Sequence, residues 1–175
     1  TNLALGTYNG IIRLESGGAS NSPQTVAVTL TVSSTPLLAV SPGVLTFNHQ
    51  VGTAIPSAQV LTIKTTGTSL AFITTTSVAS GGNWLAVNPA IANTPGTVSV
   101  TVNPVGLQPG NYSGTISVSA PGASNTPQNV TVKLAVSNSP FISVSPGSLT
   151  FNYQVGGAAP VPQPVLVSGT TASMN

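Results

Sequence analysis

Shifted by 104 residues, the chain falls on itself. Residues 1–63 align with 105–167, about half of the positions are identical, and no gap is needed until near Gln163. "GASNSPQTVAVTLTVS" at 18–33 returns as "GASNTPQNVTVKLAVS" at 122–137, and "SPGVLTFNHQVG" at 41–52 returns as "SPGSLTFNYQVG" at 145–156. Solenoid units repeat every 20 to 50 residues, so a period of 104 suits a whole domain in tandem. The phase gives three pieces. Residues 36–138 make one complete copy, 1–35 the C-terminal part of one repeat, and 139–175 the N-terminal part of the next. Nothing in the end pieces corresponds to 72–104. Two expectations follow: a window from a longer array, or end pieces that complete one another between molecules by lending strands.

The local pattern is strand after strand, with no helical periodicity. Segments 58–66, 69–77, 84–89, 96–104, 111–120 and 129–137 are rich in β-branched residues. Val98, Val100 and Val102 alternate with Ser99, Thr101 and Asn103, and Val130, Val132, Leu134 and Val136 do the same, as half-buried strands require. Turn signals such as "SPG", "SGGN", "TPG" and "LQPG" separate the runs. With the leading phrase read as one segment, about seven strands fill about 100 residues. The expected fold is all-β: an immunoglobulin-like antiparallel Greek-key β-sandwich repeated at the 104-residue period. In "LQPGNY" (107–112) and "LALGTY" (3–8), Tyr112 and Tyr8 have the spacing of a structural tyrosine corner, the hydroxyl tied back to nearby backbone.

Composition excludes more than it suggests. Charged residues are 2% of the chain against a usual quarter or so. Arg13, Lys64, Lys133 and Glu15 are all there is, too few for a nucleic-acid surface. Apolar runs are broken too often for a transmembrane helix. Cysteine is absent, so no disulfide, thiolate metal site or thiol nucleophile is expected.

Catalytic chemistry finds no residues. Glu15 is the only acidic side chain, where glycosidases need two and a Ser-His-Asp triad needs one beside the histidine. Its counterpart is Ser119. His49 is the only histidine, its counterpart is Tyr153, and it reads as an aromatic spacer rather than a base or ligand. Lys64 and Lys133 align with Ser168 and Thr29, so an isopeptide bond lacks both a repeated lysine and an acid. No catalytic, metal or cofactor residue is expected. Sequons at Asn111 and Asn129 would accept N-glycans in a suitable host. Trp84, with neighbouring Asn83, is the candidate carbohydrate contact, since a ring stacks on sugar faces; the competing role is core.

The run from "GGNWLAVNP" through "NVTVKLAV", with Trp84, Leu85, Val87, Asn88 and Pro89, resembles bacterial BACON-type modules among the immunoglobulin-like sandwiches. The resemblance implies an exported protein, extracellular or on a bacterial cell surface, and carries a suggested polysaccharide-binding role. The residues themselves favour a non-catalytic structural module: stalk, spacer or self-associating fibre subunit. Nearly chargeless surfaces pack with little repulsion and little charge desolvation. The alternative is a carbohydrate-binding module, with Trp84 in a shallow groove, and adhesion to a protein partner is a third use. Expected partners are neighbouring repeats or further copies, through 1–35 and 139–175, with no nucleic acid.

Overall fold

In the computed structural model, residues 3–170 are described, and they contain thirteen strands and no helix. The longer strands of the central sandwich follow the period-two pattern. In β9 (Gly96–Val102) the three valines point inward and Thr97 and Thr101 outward; in β11 (Gln128–Ser137) Val130, Val132, Leu134 and Val136 are buried while Asn129, Thr131 and Lys133 face water. Together with β3 (Leu38–Ser41), β4 (Val44–Gln50), β5 (Gln59–Thr65), β6 (Ala71–Val78), β7 (Leu85–Asn88), β8 (Ile91–Asn93) and β10 (Gly110–Ser119), these strands form two sheets. One has the order β4-β11-β10-β6-β8, the other β3-β5-β9-β7. Their inner faces share a core that includes Phe47, Leu61, Ile63, Phe72, Ile116 and Leu134. This is the strand order of immunoglobulin-type sandwiches.

The first strand differs from its reading as one segment. Pro42 and Gly43 divide it, and the halves join different sheets. β3 runs antiparallel to β5, whereas β4 runs parallel to β11, with Val44 opposite Thr131 and Gln50 opposite Ser137. The split lets Val40 face Ile63 while Leu45 and Phe47 reach the core from the opposite sheet. The strand count also changes. β8, three residues paired with β6, brings residues 36–138 to nine strands, β3 to β11, rather than about seven.

Two hairpins flank the sandwich. β1 (Gly6–Leu14) and β2 (Gln24–Val32) pair from Gly6–Val32 to Leu14–Gln24; adding 104 to each number gives the β10–β11 register from Gly110–Val136 to Val118–Gln128. β12 (Ile142–Ser145) and β13 (Leu166–Gly169) pair as Ile142–Gly169 and Ser145–Leu166, which is β3–β5 displaced by the same 104. The side-chain bonds shift too. Gln59 donates to the Thr46 carbonyl at 2.7 Å and Gln163 to the Thr150 carbonyl at 2.8 Å, while Gln24 and Gln128 donate to the carbonyls of Asn21 and Asn125. The offset thus holds through Thr170, whose backbone N–H donates to Phe141 as that of Thr66 does to Leu37, and no gap opens at Gln163.

What the hairpins lack is cover. Leu134 is 1% exposed and its counterpart Leu30 is 49% exposed.

Candidate functional site

The best-formed aromatic cluster lies at one end of the sandwich. Gly81 takes a left-handed backbone conformation (φ 85°), and a Cβ there would stand 2.9 Å from the Tyr112 ring. That close approach lets the 80–83 turn deliver Trp84 across β10. Its indole N–H donates to the Ser80 carbonyl at 2.9 Å, and its ring meets Tyr112 edge-on, centroids 6.5 Å apart at 65°. Beneath it, Gly114 leaves the needed space: a Cβ would lie 2.8 Å from Leu85 Cδ2 and 3.3 Å from Trp84 Cη2.

Trp84 is 2% exposed as a result. A stacking platform needs a free ring face, and this ring has neither face nor N–H to offer. The carbohydrate-contact expectation for Trp84 is therefore corrected: the residue belongs to the core. Asn83 is exposed beside it, an amide without an aromatic floor. What decides the direction of Trp84 is Gly114, thirty positions on in sequence, which no local reading of "WLAV" contains.

The tyrosine hydroxyls bond close to home. Tyr112 donates to the Gln108 carbonyl at 2.8 Å, and Tyr8 to the Ala4 carbonyl at 3.0 Å. Asn111 and Asn129 lie exposed on the outer face of the five-stranded sheet. His49 is turned inward on β4 after Leu45 and Phe47; it is buried, and its Nδ1 has no hydrogen-bond partner. Its counterpart Tyr153 is exposed.

Charge gathers nowhere. The ion pair among the described residues joins Arg13 Nε to Glu15 Oε1 at 2.6 Å, both well exposed on the first hairpin. Among the described residues no three His, Cys, Asp or Glu side chains come together, and no helix is long and apolar enough to cross a membrane. The clefts lie mostly where hairpins meet the sandwich or each other. One separates Thr46–Asn48 from Phe141 and Ser168–Thr170; another lies between the 16–21 turn and Phe151–Gln154. Neutral hydroxyls and amides make the tethers: Thr170 Oγ1 donates to Gln50 Oε1 at 2.8 Å, and the Ser33 and Ser124 hydroxyls lie 3.2 Å apart.

No family model and no curated relative matches the chain. Among solved structures, it is similar to the periplasmic chaperone SfaE (12% identity, 57% of each chain, TM-score 0.45). It is also similar to a Bacteroides ovatus GH5 xyloglucanase in complex with a XXXG heptasaccharide (24% identity, 57% of this chain and 19% of that one, TM-score 0.44). A third is a PapD-like domain of human CEP192 (13% identity, 62% and 89% covered, TM-score 0.42). The chain spans less than two thirds of the first two of these. Likeness at this level carries no function across.

Proposed function

We propose that this chain is a non-catalytic structural segment of an exported, cell-surface protein, built from 104-residue Greek-key modules of the BACON-like kind and serving as stalk, spacer or self-associating fibre. The carrying observation is the constant offset. Both hairpins repeat the strand register and the side-chain bonds of the central sandwich, 104 residues away. Two partial copies beside a whole one are what an array of such modules contains. The charge-free tethers between hairpin and sandwich support the same reading, because hydroxyl and amide contacts survive changes of salt that weaken exposed ion pairs. With Trp84 buried, nothing favours the carbohydrate-binding alternative.

Small-angle scattering on chains of two, four and six consecutive copies of residues 36–138 tests the reading. The maximum dimension should rise in proportion to copy number, with no retention on plant or bacterial polysaccharides. A compact particle whose size follows the cube root of mass, or specific retention on a glycan, would overturn it.

A further inference from the structure

The passage from the sandwich into the second hairpin is short and fastened on both sides. β11 ends at Ser137, and Asn138, Ser139 and Pro140 lead to Phe141, which therefore lies at most about 14 Å from Ser137. Val51 N–H donates to the Ser137 carbonyl at 2.9 Å, and the Ser137 hydroxyl accepts from Ser139 N–H at 3.0 Å. Across the gap, the Thr170 hydroxyl accepts from Phe141 N–H at 3.0 Å and donates to Gln50 Oε1 at 2.8 Å. Phe141 and Thr170 are half-buried, while every residue between them is exposed. The hairpin thus touches the sandwich at one corner, across the cleft that Thr46, Asn48 and Pro56 line from the other side.

We infer that this corner is a fixed joint: the end of a module formed by Gln50, Pro56 and the outer side of β4 seats the β3–β5 corner of the module that follows, in one orientation. The inference rests on the modular reading above and names the surface through which its modules meet. Each copy carries both seat and plug. Thr46, Asn48, Gln50 and Pro56 recur as Thr150, Asn152, Gln154 and Pro160, and the plug residues Phe141 and Thr170 recur as Leu37 and Thr66. The first junction repeats the linker side of the arrangement. There the Ser33 hydroxyl accepts from Thr35 N–H at 3.2 Å, just before Pro36, as Ser137 does from Ser139 before Pro140. The Thr66 hydroxyl accepts from Leu37 N–H at 2.9 Å, which leaves its proton for a glutamine placed as Gln50 is.

A complete module keeps the plug available. Phe141, Ser143 and Ser168 line the cleft. Their counterparts Leu37, Ala39 and Lys64 lie on the outer side of β3 and β5, and Ala39 and Lys64 are exposed in the complete sandwich. Ile142 and Val144 alternate to the other face, where their counterparts Leu38 and Val40 join the core. The hairpin therefore meets the sandwich with the face that a whole module leaves outside, and its own core face stays clear of the contact. Because seat and plug are different surfaces, the contact is head-to-tail, and each module is turned from the last by the same step. Hydroxyls, amides and one apolar side chain make the contact, so the step does not depend on salt.

Pulsed electron–electron resonance on the full chain tests the joint, since the absence of cysteine lets nitroxide labels be placed at will. Labels at Thr131→Cys and Val144→Cys span it; labels at Thr131→Cys and Val60→Cys stay within the sandwich, all at exposed positions. The spanning pair should give a single distance as narrowly distributed as the internal pair, unchanged between low and high salt. Gln50→Leu should widen the spanning distribution at least about twofold, toward that of a free linker, and leave the internal one narrow. A broad or two-peaked spanning distribution beside a narrow internal one, or one that Gln50→Leu does not widen, would overturn the inference. Cross-strand disulfides report on the modular reading separately. Ser145→Cys with Leu166→Cys should close as readily as Ser41→Cys with Thr62→Cys, the same paired positions 104 residues earlier. If both close and the spanning distribution is broad, the joint falls and the modular reading stands; if the first pair fails to close, the copied register and the joint fall together.

Discussion

Phe47 and Phe151 stand at the same place in the same phrase, 104 residues apart, and one is enclosed by two sheets while the other lies open. Phe47 sits opposite Leu134 on a strand whose far face is solvent, so its ring completes the core from the sheet edge. Phe151 has the same neighbours in sequence and none of the enclosing sheets. Identical local chemistry thus predicts different energetic weight at the two positions.

Phe47→Ala should cost the sandwich about 3–5 kcal/mol, whereas Phe151→Ala should change it by no more than about 0.5 kcal/mol. Urea unfolding followed by the fluorescence of Trp84, the single tryptophan, isolates the central sandwich. A large loss from Phe151→Ala would mean that the second hairpin is part of the same folding unit.

The glycine pair makes a parallel comparison on the other hairpin. Gly114→Ala drives a methyl into Leu85 Cδ2 at 2.8 Å and the Ser77 carbonyl oxygen at 3.0 Å, and should destabilise by about 1–3 kcal/mol. Gly10 has nothing within 4 Å of the same position, so Gly10→Ala should be neutral in the same titration.

His49 buries a ring nitrogen without a partner, a state that costs on the order of 1–3 kcal/mol. His49→Phe keeps a planar ring and removes that atom, so the sandwich should gain about 1 kcal/mol. Differential scanning calorimetry reads the outcome; a lower transition temperature would show that the nitrogen is satisfied in solution.

Trp84 should emit like a buried indole and resist acrylamide. Adding xyloglucan, cellulose oligomers or chitin fragments should leave its emission unchanged. Trp84→Phe strands the Ser80 carbonyl and leaves space over Gly114, so stability should fall by about 1–3 kcal/mol. A carbohydrate-dependent spectral shift in the folded wild-type chain would reopen the ligand reading.

Much of the fold was legible because it is written in consecutive residues. The alternation of Val98, Val100 and Val102 fixes which side of β9 faces inward without knowledge of the partner strand. The division of the first strand was not, since nothing in "LAVSPGVLTF" says that Val40 belongs with Ile63 and Phe47 with Leu134; those choices are made across the core. β8 escaped because "IAN" is too short to show a period. At the candidate site, residue identity singled out Trp84 as the chain's one indole, but its orientation depended on a distant glycine.

The division of the first strand has a mechanical consequence. A pull along an array would enter the module through β3 and β4 and leave through the end of β11. Because β4 and β11 are parallel, the load reaches them from opposite ends and slides one along the other. Seven residue pairs then resist together instead of peeling one at a time. The sandwich is thus clamped in shear across the two strands that carry the tension, and a tether built from it would lengthen abruptly, module by module, only after that clamp fails.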